Sequence, residues 1–215
     1  MHLDYLRHVT GADENLGKLL DALDELGLSE DTVVVYSSDN GYYLGEHGLG
    51  DKRSLYEESL RIPMLVRYPR LFGKGWVVDE MVLNIDLAPT FLDLAGVPVP
   101  REMQGVSWKA LAAGRKPANW RQSFLAEYFY ESGVNVPTIV GVRTAGAKLV
   151  TYPGHAEWTE VFDLTVDPYE VKNLAADAAA TAKLSAELDA QVKAVKYAVP
   201  PDADKPPPPA AKGKK

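Results

Sequence analysis

The chain of 215 residues contains no cysteine. Disulfides, thiolate zinc sites and a cysteine nucleophile within this chain are therefore excluded, although a protein without thiols suits any compartment. Lysine and arginine number 23 against 30 aspartates and glutamates, and the resulting net charge of −7 argues against nucleic acid as a partner. No apolar run has the length of a membrane span. The start, MHLDYLRHVTGADENLGKLL, carries acidic residues and is not typical of a signal peptide.

The first half of the chain shows the periodicities of an α/β protein. Leucine and valine recur mostly three and four residues apart from Leu3 to Leu26, which predicts an amphipathic helix that ends at Gly27. TVVVYSSD (32–39) follows without alternation and predicts a strand buried on both faces, as in a parallel sheet. Further predictions are strands in IPMLVRYP (62–69) and MVLNID (81–86), a helix in LAPTFLDLAG (87–96) and one or two helical turns in SWKALAAG (107–114).

The second half has a different character. Short apolar segments separated by turn residues predict a small antiparallel sheet with strands at 123–130, 138–144, 147–153 and 159–164, and a tight hairpin at Ala145–Gly146. A helix rich in alanine and leucine, at about 176–196, is expected to cover one face of this sheet. The final residues, 198–215, are rich in proline and lysine and are predicted to be disordered.

The stretch VVVYSSDNG (33–41) has two interpretations. Asn-Gly is the strongest short signal for a hairpin turn, but the glycines at 45, 48 and 50 make YYLGEHGLG a poor second strand. Alternatively, Asp39 and Asn40 lie at the carboxyl end of a strand, where open α/β sheets bind ligands. A carboxylate beside an amide oxygen is a hard-oxygen pair that suits calcium or magnesium. The stretch alone leaves both interpretations open.

Several downstream motifs decide between them. They are SDNG (38–41), GEHG (45–48), DKR (51–53), YEES (56–59), RIP (61–63), NIDLAPTFLDLAGVPVP (84–100), MQG (103–105) and EVFDLTVDPYEVKNL (160–174). With these motifs the sequence resembles the sulfatase family of the alkaline-phosphatase superfamily, over nearly the whole chain to about residue 195. The resemblance implies a hydrolase, specifically a sulfuric ester hydrolase, with an α/β fold. Residues 1–122 would be the C-terminal part of its mixed or parallel catalytic sheet with flanking helices. Residues 123–197 would be the antiparallel subdomain with its helix.

The resemblance also implies roles for four residues. Asp39 and Asn40 correspond to two ligands of a metal-binding site for calcium or magnesium. Lys52, thirteen positions after Asp39, corresponds to the lysine that holds a sulfate oxygen, and an ammonium group can neutralise the charge that develops there. His47 either contacts the substrate or orders the glycine-rich loop. The substrate class is a sulfated small molecule or a sulfated glycan.

One part of the family pattern does not occur in this sequence. Sulfatases make their formylglycine nucleophile from a Cys/Ser-x-Pro-x-Arg motif, and none of the 215 residues forms one. The chain is therefore expected to be a fragment whose formylglycine lies on a missing N-terminal half, to bind the ion weakly, to be inactive alone and to associate with that half or aggregate. Family members are often exported, but the compartment stays undetermined. The alternatives are a phosphodiester or phosphonate monoester hydrolase, a non-catalytic remnant that acts as a binding module, and a reading frame started at an internal methionine.

Overall fold

The computed structural model describes residues 2–129 and 136–198. The α-helices are α1 (His2–Glu25), α2 (Glu57–Leu60), α3 (Leu87–Leu94), α4 (Lys109–Ala112) and α5 (Ala178–Val195). The strands are β1 (Val34–Ser37), β2 (Tyr43–Leu44), β3 (Gly50–Asp51), β4 (Met64–Arg67), β5 (Ser123–Tyr128), β6 (Ile139–Thr144), β7 (Ala147–Thr151) and β8 (Glu160–Asp163). None of the helices in the described residues has the length and apolarity needed to cross a membrane.

The chain divides into two compact units. The first comprises Met1–Lys52 and Arg61–Trp120, and the second comprises Arg53–Leu60 and Arg121–Lys215. The short segment 53–60 therefore belongs to the second unit, although residues of the first unit precede and follow it in the chain. The roles assigned to residues 1–122, 123–197 and 198–215 stay predictions, and residues 199–215 of the expected tail lie outside the described residues.

The first helix ends as predicted. Gly27 has a φ of 68°, and its N–H donates to Asp24 O at 3.1 Å while the N–H of Leu28 donates to Leu23 O at 2.9 Å. This left-handed glycine with two back-directed hydrogen bonds is a common way to satisfy the last carbonyls of a helix. The chain then turns from α1 towards β1.

Two predictions for the first unit are wrong, one about strand direction and one about a third strand. β1 pairs with β4 in antiparallel register, from Val34 opposite Arg67 to Ser37 opposite Met64, so the expected parallel pairing is wrong for these strands. An unbroken apolar run indicates a strand but carries no information about the direction of its partner. The strand expected at 81–86 is also wrong, because residues 84–86 form a short 3₁₀ turn in which the Asp86 carboxylate accepts from the N–H of Leu83 and of Val106, both at 2.8 Å.

The core of the first unit forms around two tryptophans. Trp108, Leu111, Ala112 and Trp120 are buried together, and partly buried Val66, Phe72, Val78, Val82 and Leu87 pack against them. The predicted turns at 107–114 are confirmed as α4, and the helix at 87–96 is confirmed as α3.

The second unit contains the predicted antiparallel sheet, whose four strands lie in the order β5–β6–β7–β8. The helix α5 covers one face, where Leu184 packs with Val142, Leu149 and Val161. A second hydrophobic cluster of this unit consists of Leu55, Ala126, Ile139 and Val150, and the partly buried Leu60 packs against it. Leu55 and Leu60 belong to segment 53–60. Mixed α/β structure with a separate antiparallel sheet and helix is therefore confirmed as the fold class.

Candidate active site

Asp39 and Asn40 follow the end of β1 after one intervening residue, Ser38. Ser37 Oγ donates to Pro63 O at 2.9 Å and secures the strand end against the start of β4. Ser38 Oγ donates to Asn40 O at 2.7 Å, and the N–H of Asn40 donates to Asp39 Oδ1 at 2.9 Å. Such side-chain hydrogen bonds to nearby backbone compete with strand pairing and bend the chain.

The hairpin interpretation of Asn40–Gly41 is wrong. A hairpin at this position would pair β1 with β2, whereas β1 pairs with β4 and β2 pairs with β3. Glycines in the segment after Gly41 weakened the sequence evidence for a second long strand, and the structure has only the two-residue β2 there.

The small ribbon of β2 and β3 returns the chain from the strand end to Lys52. Tyr43 lies opposite Asp51 and Leu44 opposite Gly50, so Lys52 follows directly after the ribbon. Lys52 Nζ donates to Asn40 Oδ1 at 3.0 Å, and both side chains are half-buried. Two of the four residues predicted for the site, separated by twelve positions, are thus in direct contact.

The histidine of the GEHG motif lies in a 3₁₀ turn, Glu46–Gly48, that joins β2 to β3. His47 is exposed and has a φ of 55°, a left-handed conformation that is uncommon for residues other than glycine. Its ring and the Tyr43 ring form a T-shaped pair with centroids 6.3 Å apart, and Tyr43 is only 1% exposed. This packing corresponds to the loop-ordering alternative for His47, and its role towards a substrate stays a prediction.

A neighbouring carboxylate also stabilises this turn. Glu46 Oε2 accepts from the N–H of Leu44 at 2.6 Å. Hydrogen bonds from its own backbone and from Leu44 hold the pKa of Glu46 below its usual range. The loop between Asn40 and Lys52 is therefore stabilised in part by hydrogen bonds of Glu46 with nearby backbone.

The chemistry of the donor groups fits a hard cation. Asp39 contributes an exposed carboxylate, and the Asn40 amide oxygen already points at a positive charge, the ammonium of Lys52. Carboxylate and amide oxygens are typical ligands of calcium and magnesium. These two side chains offer about three oxygens of the roughly six to eight that calcium takes, so they would form part of a site.

The structure contains a second cluster of charges that the sequence patterns did not predict. In the second unit, Lys148 Nζ lies 2.8 Å from Glu57 Oε1 and 2.6 Å from Glu170 Oε1, and donates to Leu55 O at 2.7 Å. Arg143 Nε and Nη2 donate to the two Glu57 oxygens at 3.1 and 3.0 Å. The sequence feature that could have indicated this cluster is the lysine within the largely apolar strand AKLVT.

The two carboxylates of this cluster respond differently to their surroundings. Burial raises the pKa of Glu57, but the Arg143 hydrogen bond and the Lys148 charge outweigh it and bring the pKa to about 2. For Glu170, burial outweighs the attraction of Lys148 and raises the pKa. The charges of the two carboxylates are balanced by Arg143 and Lys148. Lys148 also donates to a backbone carbonyl of segment 53–60. These contacts indicate a structural role for the cluster.

Comparison with known proteins identifies the family. A family model described as N-sulphoglucosamine sulphohydrolase, C-terminal, matches residues 45–198. The chain belongs to the sulfatase family. The match contains His47 and Lys52 and begins after Asp39 and Asn40. Over 174 residues the chain is 41% identical to N-acetylglucosamine-6-O-sulfatase of Bacteroides thetaiotaomicron, covering 80% of this chain and 31% of that protein.

Solved structures agree with this assignment. The structure of BT4656 in complex with its substrate, D-glucosamine-2-N,6-O-disulfate, superposes with a TM-score of 0.81 at 38% identity and covers 87% of this chain and 39% of that one. The phosphonate monoester hydrolase of Agrobacterium radiobacter has a TM-score of 0.73 at 25% identity, covering 84% and 38% of the two chains. The chain thus spans between about a third and two fifths of the length of these similar proteins.

Proposed function

We propose that this chain forms the C-terminal part of a sulfuric ester hydrolase and contributes two metal ligands and a sulfate-binding lysine to its active site. The contact between Lys52 Nζ and Asn40 Oδ1, at 3.0 Å, supports this proposal most directly. It places an ammonium group beside the amide oxygen of the proposed metal-ligand pair. A lysine exposed only to solvent would not form a hydrogen bond to a side chain twelve residues away.

Each proposed residue has a distinct task. Asp39 and Asn40 would hold a calcium or magnesium ion, which when bound supplies Lewis-acid stabilisation of sulfuryl oxygens. The Lys52 ammonium would bind a sulfate oxygen and stabilise the negative charge that grows on it in the transition state. Asn40 orients Lys52 through its amide oxygen. His47, at the exposed tip of the loop, would contact the part of the substrate beyond the sulfate.

The nucleophile would come from another part of the active site. No residue in this sequence lies in a Cys/Ser-x-Pro-x-Arg motif, so the formylglycine belongs to the N-terminal part of a sulfatase. The chain alone is therefore proposed to be inactive, and its metal site incomplete.

A sulfated glycan or sulfated amino sugar is the proposed substrate class. The support comes from the names of two similar proteins, an N-acetylglucosamine-6-O-sulfatase and a protein solved with D-glucosamine-2-N,6-O-disulfate. A second candidate is phosphonate monoester hydrolysis, favoured by the likeness to the Agrobacterium radiobacter enzyme. Both substrates present a tetrahedral anion to Lys52. A non-catalytic binding module remains the third alternative.

A chimera tests this proposal. The full chain would replace the matched C-terminal region of the Bacteroides thetaiotaomicron relative, expressed with formylglycine maturation, and be assayed on glucosamine 6-O-sulfate and on a phosphonate monoester. Lys52→Ala should lower kcat/KM for the sulfate ester about 10²–10³-fold, because a charge-stabilising donor is lost. Lys18→Ala, an exposed lysine of α1, is the matched control and should leave it unchanged.

The substrates and variants separate the alternatives. Faster turnover of the phosphonate than of the sulfate ester would favour the second candidate. Full activity in Lys52→Ala would remove the proposed role of that lysine. A folded, mature chimera that hydrolyses neither ester would leave the binding-module alternative.

A further inference from the structure

Segment 53–60 carries the chain directly onward from Lys52. The chain passes from the first unit to the second between Lys52 and Arg53. Three residues after Lys52 comes Leu55, which is 5% exposed and belongs to a hydrophobic cluster of the second unit. Three residues of extended chain span at most about 10 Å. A contact that fixes Leu55 therefore also restricts the backbone position of Lys52.

Two backbone groups of this segment are bound by buried charged side chains. Lys148 Nζ donates to Leu55 O at 2.7 Å, and the N–H of Glu57 donates to Glu170 Oε2 at 2.7 Å. Lys148 and Glu170 are 1% and 3% exposed, and Lys148 Nζ lies 2.6 Å from Glu170 Oε1. A buried charge is tolerated only when it is paired and hydrogen-bonded. The pairing that stabilises these two side chains thus also fixes the path of the segment.

Tyr56, between these two backbone contacts, is held through its side chain. Its hydroxyl donates to Glu160 Oε1 at 2.5 Å, and the hydroxyl of Tyr152 donates to the other oxygen of Glu160 at 3.0 Å. The ring of Tyr56 packs against the ring of Phe162, with centroids 5.9 Å apart. Each of the three consecutive residues 55–57 is therefore bound within the second unit by a separate hydrogen bond.

The backbone of Glu170 is held in an unfavourable conformation. Its φ is 52°, in the left-handed region that residues other than glycine seldom adopt, and its side chain is buried. A glycine would adopt this conformation without strain, but it could not bind both Lys148 and the N–H of Glu57. Strained conformations of this kind cluster at positions with a functional constraint.

We propose that the anchors of segment 53–60 position Lys52 for its sulfate oxygen. The three anchoring side chains, Lys148, Glu160 and Glu170, are then positioning residues that act on the reaction through Lys52. The inference rests on the proposed function and deepens it. Lysine has a flexible stem of four carbons, and a charged donor stabilises a transition state best when its position is set in advance. The hydrogen bond to the amide oxygen of the proposed metal-ligand pair orients the tip of Lys52, and the anchored segment restrains its backbone.

A double-mutant cycle in the chimera described above tests this coupling. Glu170→Ala removes the acceptor for the Glu57 N–H and should lower kcat for the sulfate ester about tenfold with little change in KM, because Lys52 acts on the transition state. In the Lys52→Ala background the same change should lower kcat no further, since its effect passes through that lysine. Glu170→Gln keeps an oxygen acceptor at this position and should retain kcat within about threefold.

Two further variants separate positioning from loss of stability. Asp177→Ala removes the side-chain cap of α5 and so weakens the second unit at another place, and it should leave kcat unchanged. If Glu170→Ala does not fold, Tyr56→Phe replaces it in the cycle and in the measurement that follows. Tyr56→Phe keeps the ring, removes the hydroxyl that donates to Glu160, and should lower kcat about threefold only when Lys52 is present.

Acetylation of Lys52 provides a measurement that needs no catalysis. The folded chimera is treated with the N-hydroxysuccinimide ester of acetic acid, and the modified lysines are followed by peptide mass spectrometry. Glu170→Ala should accelerate the modification of Lys52 about threefold or more, because the released segment lets the ammonium group leave its hydrogen bond more often. Lys18, exposed on α1, is the internal reference and should react at the same rate in both proteins.

The results distinguish this inference from the proposed function. Equal losses of kcat with and without Lys52, or an unchanged rate of Lys52 acetylation, would overturn the inference. Faster acetylation of Lys52 in a chimera that hydrolyses neither ester would retain the positioning of this lysine and reject only the proposed function. Full activity of Lys52→Ala would overturn both.

Discussion

Two lysines of this protein have different environments at the scale of single residues. Lys52 is half-buried and donates to an amide oxygen. Lys148 is 1% exposed and lies between two carboxylates and a backbone carbonyl. A buried charge is tolerated only when it is paired and hydrogen-bonded, so Lys148 depends on its partners for the stability of the fold. For Lys52, the family resemblance predicts binding of a sulfate oxygen.

Removal of Lys148 should destabilise the second unit. Lys148→Met would leave Glu170 buried without its cation, and loss of one partner of a buried ion pair typically costs about 3–5 kcal/mol. The measurement is the amide hydrogen-exchange protection of β6 and β7, which reports on this unit alone. Lys183→Met, at an exposed position of α5, is the control and should change protection by less than about 0.5 kcal/mol. Equal protection in the two variants would contradict the structural role of the cluster.

The cluster also predicts a response to acid. The pKa of Glu57 is about 2 in the folded chain against an ordinary 4.5, so its ionised form stabilises the fold above pH 4.5 and this contribution is lost as the pH falls from 4.5 towards 2. The loss amounts to at most about 3 kcal/mol. Burial raises the pKa of Glu170, so protonation of Glu170 acts in the opposite direction and reduces the net loss.

Glu57→Gln isolates the first contribution. The variant should be less stable than the parent chain at pH 7, and its stability should change less between pH 5 and pH 3, because the ionised group with the low pKa is gone. Exchange protection of β7, corrected for the intrinsic rate at each pH, measures this. If both proteins lost the same protection on acidification, Glu57 would not be the group responsible.

At the level of secondary-structure elements, the N-cap residue Asp177 stabilises the start of α5. Asp177 Oδ1 accepts from the N–H of Ala179 at 2.9 Å and of Ala180 at 3.0 Å, and so satisfies two free donors at the start of the helix. Asp177→Ala should cost about 1 kcal/mol. The exchange protection of the first turns of α5 should fall, whereas Asp189→Ala, at an exposed site within the helix, should leave these turns unchanged.

Elements with a local signal could be predicted from the sequence. The strands and the helix of the second unit follow from short apolar segments, turn residues and a helical period, and they lie close to their predicted positions. Local signals did not specify pairing direction, so β1 and β4 were wrongly expected to be parallel. The strand expected at 81–86 failed because the Asp86 carboxylate binds backbone donors from residues 83 and 106, a contact that no local pattern encodes.

In the candidate site, too, the residues within recognisable motifs could be predicted, whereas the contacts between distant segments could not. The family motifs selected Asn40 and Lys52, and the structure brings them together through the short β2–β3 ribbon. The charge cluster of Glu57, Arg143, Lys148 and Glu170 was not predicted as a unit, because its members come from positions up to 113 residues apart. Buried polar clusters depend on tertiary contacts and leave little trace in periodicity.

The proposed metal site predicts a weak affinity for the chain alone. This chain spans 31% of the length of the Bacteroides thetaiotaomicron relative, and Asp39 with Asn40 would supply about three oxygens of the roughly six to eight that calcium takes. Calorimetric titration of the purified chain with calcium chloride should therefore show no saturable binding below about 1 mM. The active chimera should bind the ion more tightly, and Asp39→Ala in the chimera should weaken binding while Asp13→Ala, on the exposed surface of α1, should not. Micromolar binding by the chain alone that Asp39→Ala abolishes would mean that these residues form a complete site without the N-terminal part.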